Sequence, residues 1–235
     1  MALRRPAECP RVWIAALDCV TFEVGAEKTY IVHKDLLINA SRYIKAVLEH
    51  GIQMVHELTK VSTDTFDIFL EWLYFGKLVL PDIKLINLSP EAEEWDDDRE
   101  AEHANFLQCL LDLYDLASSL DILELRRAVV RVLFWHLSWP TTLFPDGGFL
   151  EQVYENLQPS SQFKRVLVHD FCRRKVLSNV RRNAAHIREQ SERFPPEFLL
   201  DCMERYSSEL NNLVFYPLRT NGRLNIADYY EQDTN

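Results

Sequence analysis

Hydrophobic and polar residues alternate along two short stretches near the start of the chain. In VTFEVG, Val20, Phe22 and Val24 are apolar and polar residues stand between them, a pattern typical of a half-buried strand. AEKTYIVHK resumes the alternation after a short loop that contains Gly25. Two such runs joined by a short glycine-containing loop predict a β-hairpin.

The apolar period then changes from strand-like to helical. Asp35 can cap a short helix that carries Leu36 and Leu37, and Ser41 can cap a second helix that stops at Gly51. MVHELTKV has the character of a third strand. The order predicted so far is therefore strand, strand, two short helices and a strand.

The segment STDTFDIFLEWLYFGKL predicts an amphipathic helix. Ser62 or Thr63 can cap its start, and Gly76 stands just past its end. The apolar residues fall at i, i+3, i+4 and i+7, which places them on one helical face: Phe66, Phe69, Leu70 and Leu73.

A longer apolar segment, LLDLYDLASSLDILELRRAVVRVLFWHL, predicts a pair of helices. Asp121 and Glu124 have the spacing of a capping box at the start of the second helix. That helix should end before Pro140, with Trp135 and Trp139 as buried anchors rather than ligand-stacking residues.

Composition and charge narrow the function classes. With 47% hydrophobic residues, the 235-residue chain can fill a real core. Its 26 basic and 36 acidic residues give a formal charge of −10, which opposes binding to a nucleic-acid backbone. Neither a basic-then-apolar leader nor an apolar run of the ~20 residues that span a membrane is found. We therefore expect a soluble intracellular protein, cytoplasmic or nuclear and not secreted, with no nucleic-acid or membrane partner.

The residues that could bind metals or catalyse reactions do not form a recognisable set. Five cysteines are scattered without CxxC spacing, so we expect reduced thiols and no zinc site. His169 and Cys172 are three residues apart but have no second ligand pair in the sequence. We predict no catalytic residues, no metal and no cofactor, and hence no enzyme.

Four motifs in sequential order resemble the BTB/POZ family: VTFEVG, the His33-Lys34 joint, the Ser-x-Tyr helix start at Ser41, and WLYFG at the end of the amphipathic helix. The resemblance implies an α+β fold, a small mostly antiparallel sheet flanked by a cluster of α-helices and followed by an α-helical C-terminal region. That region resembles the extension of BTB proteins abundant in filamentous fungi.

The resemblance also implies a division of the chain. The expected parts are an N-terminal segment (1–12), the BTB/POZ domain (13–137) with an acidic loop (89–105), a helical extension (138–217) and a polar tail (218–235).

The family resemblance implies a protein–protein interaction module that homodimerises and recruits partners as a scaffold. Apolar residues of the N-terminal segment and the first helix are the candidates for the dimer interface, although they could equally fill the monomer's own core: Val12, Trp13, Ile14, Leu36, Leu37 and Ile38. The acidic residue that the family places just before the first strand's valine is missing, since Cys19 precedes Val20.

The alternative function is that of a substrate adaptor of a cullin-type ubiquitin ligase. The family's cullin-contact signature falls near Ile52, but Met54 stands where its glutamate belongs, and Glu57 is a possible substitute. An unidentified protein partner could bind the C-terminal FPPEFLLDCMERY, where we predict one face formed by Phe198, Leu199, Cys202, Met203 and Tyr206. Packing onto the BTB/POZ domain explains that face equally well.

Three charged features have ordinary structural explanations. His33 should finish its strand with a local hydrogen bond while Lys34 enters solvent, because no glycine-rich loop is present to bind a phosphate. The acidic segment 89–105 should be a solvated loop rather than a calcium site, because it lacks a glycine turn. The basic run from Lys164 to Arg182 should be a solvated helix face, with a nuclear-import or anionic-partner surface as the alternative.

Overall fold

The computed structural model describes residues 19–25, 28–50, 55–59, 61–80, 97–138, 142–177 and 193–215. The described elements, in chain order, are β1 (Cys19–Val24), β2 (Lys28–His33), α1 (Lys34–Ala40), α2 (Arg42–Glu49), β3 (Val55–Leu58), α3 (Thr63–Phe75), α4 (Asp97–Ser119), α5 (Leu123–Ser138), α6 (Gly147–Asn156), α7 (Gln162–Leu177) and α8 (Pro196–Phe215). The predicted α+β class and the order of the first six elements are confirmed.

The three described strands form one sheet in the order β2-β1-β3. β1 and β2 pair antiparallel, with Phe22 opposite Tyr30, while β1 and β3 run parallel, with Val24 opposite Leu58. Gly25 adopts a left-handed φ of 60° at the turn after β1, a conformation that favours glycine. Its N–H donates to the carbonyl of Leu58 at 3.2 Å, which fastens the turn to β3.

α3 covers the inner face of this sheet. The ring of Phe66 lies 5.3 Å from Phe22, 4.6 Å from Tyr30 and 5.3 Å from Phe69 between ring centres, and these aromatic contacts join the helix to both hairpin strands. Ser62 caps the helix by accepting from the N–H of Thr65 at 3.1 Å. Gly76 ends it with a left-handed φ of 66°, as its position in the sequence predicts.

Ser41 joins the first two helices to the rest of the domain. Its hydroxyl accepts from the N–H of Ile44 at 2.9 Å, which confirms it as the cap of α2, and donates to the carbonyl of Leu120 at 2.5 Å. The predicted cap at Asp35 is wrong, because α1 begins at Lys34 and Asp35 lies inside its first turn. His33 occupies the cap position of α1 and makes no side-chain cap bond there.

α4 and α5 form the predicted helix pair, with two differences from the expected ends. α4 begins at Asp97, so the later part of the predicted acidic loop 89–105 is helical, while residues 89–96 lie outside the described residues. Asp121 does not cap α5, because the helix begins two residues later and Asp121 has a φ of 49°. Its carboxylate instead pairs with Arg126 at 3.3 Å, and that of Glu124 pairs with Arg127 at 2.7 Å.

The C-terminal helices pack around a cluster of aromatic side chains. Phe144, Phe171, Phe194 and Phe198 have ring centres 5.1 to 6.2 Å apart, and they hold the segment before α6 against α7 and α8. α7 also packs against α5, across the boundary predicted near residue 138. Trp135 is 59% exposed, so its prediction as a buried anchor is wrong; Trp139 lies outside the described residues.

Candidate interaction surface

Large apolar side chains are exposed at the end of α3 and on β2. Phe75 is 75% exposed at the last position of α3, Tyr74 and Val79 are exposed close to it in the chain, and Ile31 is 71% exposed on β2. Tyr74, Phe75 and Val79, with His33 against Tyr74, form what we call the α3-end surface. Single large apolar side chains in water are common, whereas several in one short segment favour a binding surface.

Two side-chain contacts join β2 to α3, and the one at His33 lies within the α3-end surface. The Nδ1 of His33 lies 2.7 Å from the Tyr74 hydroxyl, and the two rings meet edge to face at 5.8 Å. At the other end of the strand, the Lys28 ammonium lies 3.2 Å from the Asp67 carboxylate. Hydrogen bonds from Tyr30 and Asp67 raise the pKa of Lys28, although a surface pair of this kind contributes little stability.

His33 therefore has a structural role, but not the local one that its position in the sequence suggests. The strand ends at His33, as predicted, and the helix begins directly after it at Lys34. The imidazole contacts Tyr74, which is 41 residues away, and Lys34 is half-buried rather than fully solvated.

The predicted dimer residues divide into three groups. Leu36 and Ile38 on α1 are half-buried, so each retains surface that a partner could cover. Leu37 is 0% exposed and fills the core, so it has no surface to offer. Val12, Trp13 and Ile14 lie outside the described residues, while Cys19 is half-buried at the start of β1, opposite His33.

The predicted cullin-contact residues are mostly outside the described part of the chain. Ile52 and Met54 both fall there. Glu57 lies on β3, where its backbone pairs with Glu23 on β1.

The face predicted on α8 is wrong for Met203. Phe198 and Cys202 are buried, and the Tyr206 hydroxyl donates to the carbonyl of Cys172 on α7 at 3.3 Å. These residues follow the i, i+4, i+8 spacing of one helical face, whereas Met203 is turned by ~100° from Cys202 and is exposed. Leu199 is half-buried against the core. Phe198, Leu199 and Tyr206 therefore pack inside the protein, and Met203 and Leu200 are the exposed apolar residues of this helix.

The predicted solvated face on α7 is also wrong at its first basic residue. Lys164 is only 4% exposed, and its ammonium donates to the carbonyls of Leu157 at 2.6 Å and Tyr154 at 3.3 Å. The ammonium also lies 4.4 Å from the centre of the Tyr154 ring, whose hydroxyl donates to Asp201 at 2.5 Å. The lysine therefore belongs to the interior and closes the end of α6, and its burial lowers the pKa of the ammonium group.

Two arginines of α7 close the end of α5 in the same way. Arg173 and Arg174 donate to the carbonyl of Leu137 at 3.0 and 2.9 Å, and Arg174 also donates to the carbonyl of Thr142. The buried carboxylate of Asp170 pairs with both guanidinium groups, at 2.6 and 2.5 Å. These charges satisfy helix-end carbonyls and each other, which explains why they lie at a helix junction. Arg181 and Arg182 lie outside the described residues.

Three histidines in the described chain are held neutral by burial. The pKa of His103, His136 and His169 is lowered to about 4 in each case, mainly by burial. Nearby arginine side chains lower it further, and His103 also lowers the pKa of His136. Within the described residues, no group of three or more His, Cys, Asp or Glu side chains could hold a metal ion. His169 and Cys172 are thus not joined there by further ligands.

Sequence reasoning missed the α3-end surface and the exposed Ile31, although part of the signal was present. Tyr30, Ile31 and Val32 are consecutive apolar residues in a strand, so Ile31 must face away from the side that buries its neighbours. Phe75 directly precedes the glycine that ends α3. The contact of His33 with Tyr74, which joins the end of β2 to the end of α3, is not revealed by the sequence.

A sequence model of the BTB/POZ domain matches residues 17–108. No curated protein matches the chain. The match ends within α4, so the kinship of the C-terminal helices with fungal BTB proteins stays a prediction. None of the helices in the described ranges is long and apolar enough to cross a membrane.

Proposed function

Because residues 17–108 carry a BTB/POZ domain, which is a protein–protein interaction module, we propose that the chain homodimerises and recruits a protein partner as a scaffold, without catalysis. Action inside the cell, in the cytoplasm or nucleus, is part of this proposal. The free thiols of Cys19, Cys109, Cys172 and Cys202 support a reducing location.

The observation that carries the proposal is apolar surface on the matched domain. Leu36 and Ile38 leave part of their side chains uncovered on α1, and the α3-end surface begins at His33, directly before that helix. A twofold dimer needs a self-complementary apolar patch, and a scaffold needs a further patch for its partner. The uncovered parts of Leu36 and Ile38 support the first, and the α3-end surface supports the second.

Dimerisation through α1 can be tested with two matched substitutions. We expect Leu36→Asp to weaken the dimer by at least about tenfold, because a carboxylate would have to be desolvated in the interface. Leu200→Asp is the control, since it places the same charge on an exposed leucine of α8. Sedimentation over a concentration series measures the dissociation constant of each variant. A monomeric wild-type chain at high concentration would refute dimerisation, and equal effects of both substitutions would refute the role of α1.

Partner recruitment through the α3-end surface has a separate test. Phe75 is the most exposed of its large apolar residues, so Phe75→Asp should abolish partner binding without lowering the free energy of unfolding. Met203→Asp on α8 is the matched control. Crosslinking in cell extract, followed by comparison of the proteins lost in each variant, identifies the partner. If a partner still binds the Phe75→Asp variant but no longer binds the Met203→Asp variant, the prediction is wrong and the binding surface lies on α8.

A substrate adaptor for a cullin-type ubiquitin ligase is the second candidate. The same exposed aromatic surface supports it, because a cullin would also need an apolar site on the matched domain. Calorimetric titration with the N-terminal repeat of a cullin should give a Kd of about 1 μM or tighter. Absence of heat at about a hundredfold higher concentration would exclude the adaptor role and leave the dimeric scaffold intact.

A further inference from the structure

A buried and a half-buried histidine meet where α4 and α5 adjoin the C-terminal helices. The rings of His103 on α4 and His136 on α5 are stacked, with centres 5.1 Å apart and planes inclined by 26°. Phe106 lies 4.6 Å from His136, between ring centres. His103 is 6% exposed and the Nε2 atom of the half-buried His136 is also buried, so water contributes little to stabilising a charge at these atoms.

The backbone at His136 is also where the C-terminal helices attach to α5. The Thr142 hydroxyl donates to the carbonyl of His136 at 3.0 Å. The next carbonyl, that of Leu137, accepts from Arg173 and Arg174 of α7. A displacement of His136 would therefore disturb the hydrogen bonds that hold α7 to the end of α5.

We propose that the stacked histidine pair makes this attachment acid-sensitive, so that a proton on either imidazole releases α7, together with the α8 helix packed on it, from α5 before the hairpin and α3 unfold. A charged imidazole would lie about 5 Å from the second ring and near the Arg174 guanidinium, with which it would repel. The carboxylate of Asp170 is already paired with both arginines. Among the described residues, the carboxylate of Asp146, which caps α6, acts in the opposite direction and favours a charge on His103.

The electrostatic environment of each ring supports this inference. Burial is the main cause that lowers the pKa of His103 to about 4, and the positive charge of Arg174 lowers it further. The pKa of His136 is lowered to about 4 by burial, by His103 and by Arg174. Both values lie below the ordinary histidine value of about 6.5, so the released state binds protons more readily than the attached state. Attachment should be complete above pH 6.5 and should weaken as the pH falls from 6.5 towards 4.

Hydrogen exchange of the full chain, corrected for the intrinsic effect of pH, measures the attachment directly. Between pH 7 and pH 4.5 we expect protection of α7 to fall by about tenfold or more, while protection of β1 and β2 is retained. The double variant His103→Gln and His136→Gln cannot take up these protons, so its α7 protection should not change with pH. His50→Gln, which replaces an exposed histidine, should behave like the wild type.

His169 on α7 must be tested separately, because burial also lowers its pKa to about 4. A pH response that disappears in His169→Gln alone would overturn the proposal, as would a wild-type α7 that stays protected at pH 4.5. If the double variant has no α7 protection even at pH 7, the proposal is tested on the wild type instead. The imidazole proton resonances of His103 and His136 are then followed by NMR as the pH is lowered. Midpoints for His103 and His136 near 6 would overturn the proposal, and midpoints below 5 that coincide with the loss of α7 protection would support it.

Discussion

Gly147 offers a direct test of how the C-terminal helices are packed. It is the first residue of α6, and a Cβ added to it would lie 2.5 Å from the backbone oxygen of Arg193 and 3.0 Å from its carbonyl carbon. Both contacts are with backbone, so a side-chain rotation cannot relieve them. The neighbouring Gly148 is also in the first turn of α6, but its Cβ would meet only the Asp146 carboxylate, at 3.6 Å.

The expected magnitudes follow from two opposing contributions. Replacing glycine with alanine in a helix stabilises it by roughly 0.5–1 kcal/mol, and this gain applies to both positions. Overpacking typically costs about 1–3 kcal/mol, and at Gly147 the displaced backbone belongs to the residue before Phe194, which lies in the aromatic cluster. Gly147→Ala should therefore lower the free energy of unfolding by about 1–2 kcal/mol, while Gly148→Ala should raise it slightly.

Urea unfolding followed by circular dichroism compares the two variants. We expect their midpoints to move in opposite directions, with unchanged slopes. The reasoning is refuted if Gly147→Ala is as stable as Gly148→Ala, because the backbone of residue 193 could then not lie against the start of α6.

Three further predictions concern groups that the structure places in the interior. Ser41→Ala should cost about 2–3 kcal/mol, because it removes a helix cap and a buried bond to Leu120, whereas Ser62→Ala removes a cap and should cost about 1 kcal/mol; thermal unfolding compares them. Lys164→Ala should lower the free energy of unfolding by about 2–4 kcal/mol, since it leaves helix-end carbonyls without a donor, and a loss below about 0.5 kcal/mol in urea would contradict this. Burial raises the pKa of Cys109 to about 11, so alkylation of this thiol at pH 8 should be on the order of 100-fold slower than that of an exposed thiol. Mass spectrometry of the labelled peptides measures the two rates, and equal rates would contradict the prediction.

Local patterns were sufficient to predict the first half of the fold. The alternation through Val20, Phe22 and Val24 and the caps at Ser41 and Ser62 depend on residues that are neighbours in the chain, and the structure confirms all of them. The failures at caps have a different cause. Asp35 and Asp121 have the right residue type, but the backbone conformation at each position is set by how the preceding strand or helix ends.

The surfaces could not be predicted because burial depends on which elements meet. Trp135 resembles a core anchor in sequence, yet α5 presents other residues to its neighbours and leaves this ring in solvent. Lys164 resembles a surface residue, yet the end of α6 supplies two carbonyls that satisfy it inside the protein. In both cases the deciding neighbour lies on another helix, which hydrophobic periodicity within one helix does not identify.

The arrangement of α7 separates the residues that hold the protein together from those available to a partner. Lys164 closes the C-terminal end of α6, and Arg173 and Arg174 close that of α5, so these positive charges lie at the negative ends of two helices. Substitutions of these three residues should therefore change stability first and binding only as a consequence. The opposite is expected for Phe75. Its side chain is largely in solvent, so removing it should change the free energy of unfolding little and affect binding directly. We expect a partner to lose binding when Phe75 is replaced, and to keep binding when one of the three basic residues is replaced and the chain still folds. That result would establish that different parts of the protein carry partner binding and stability.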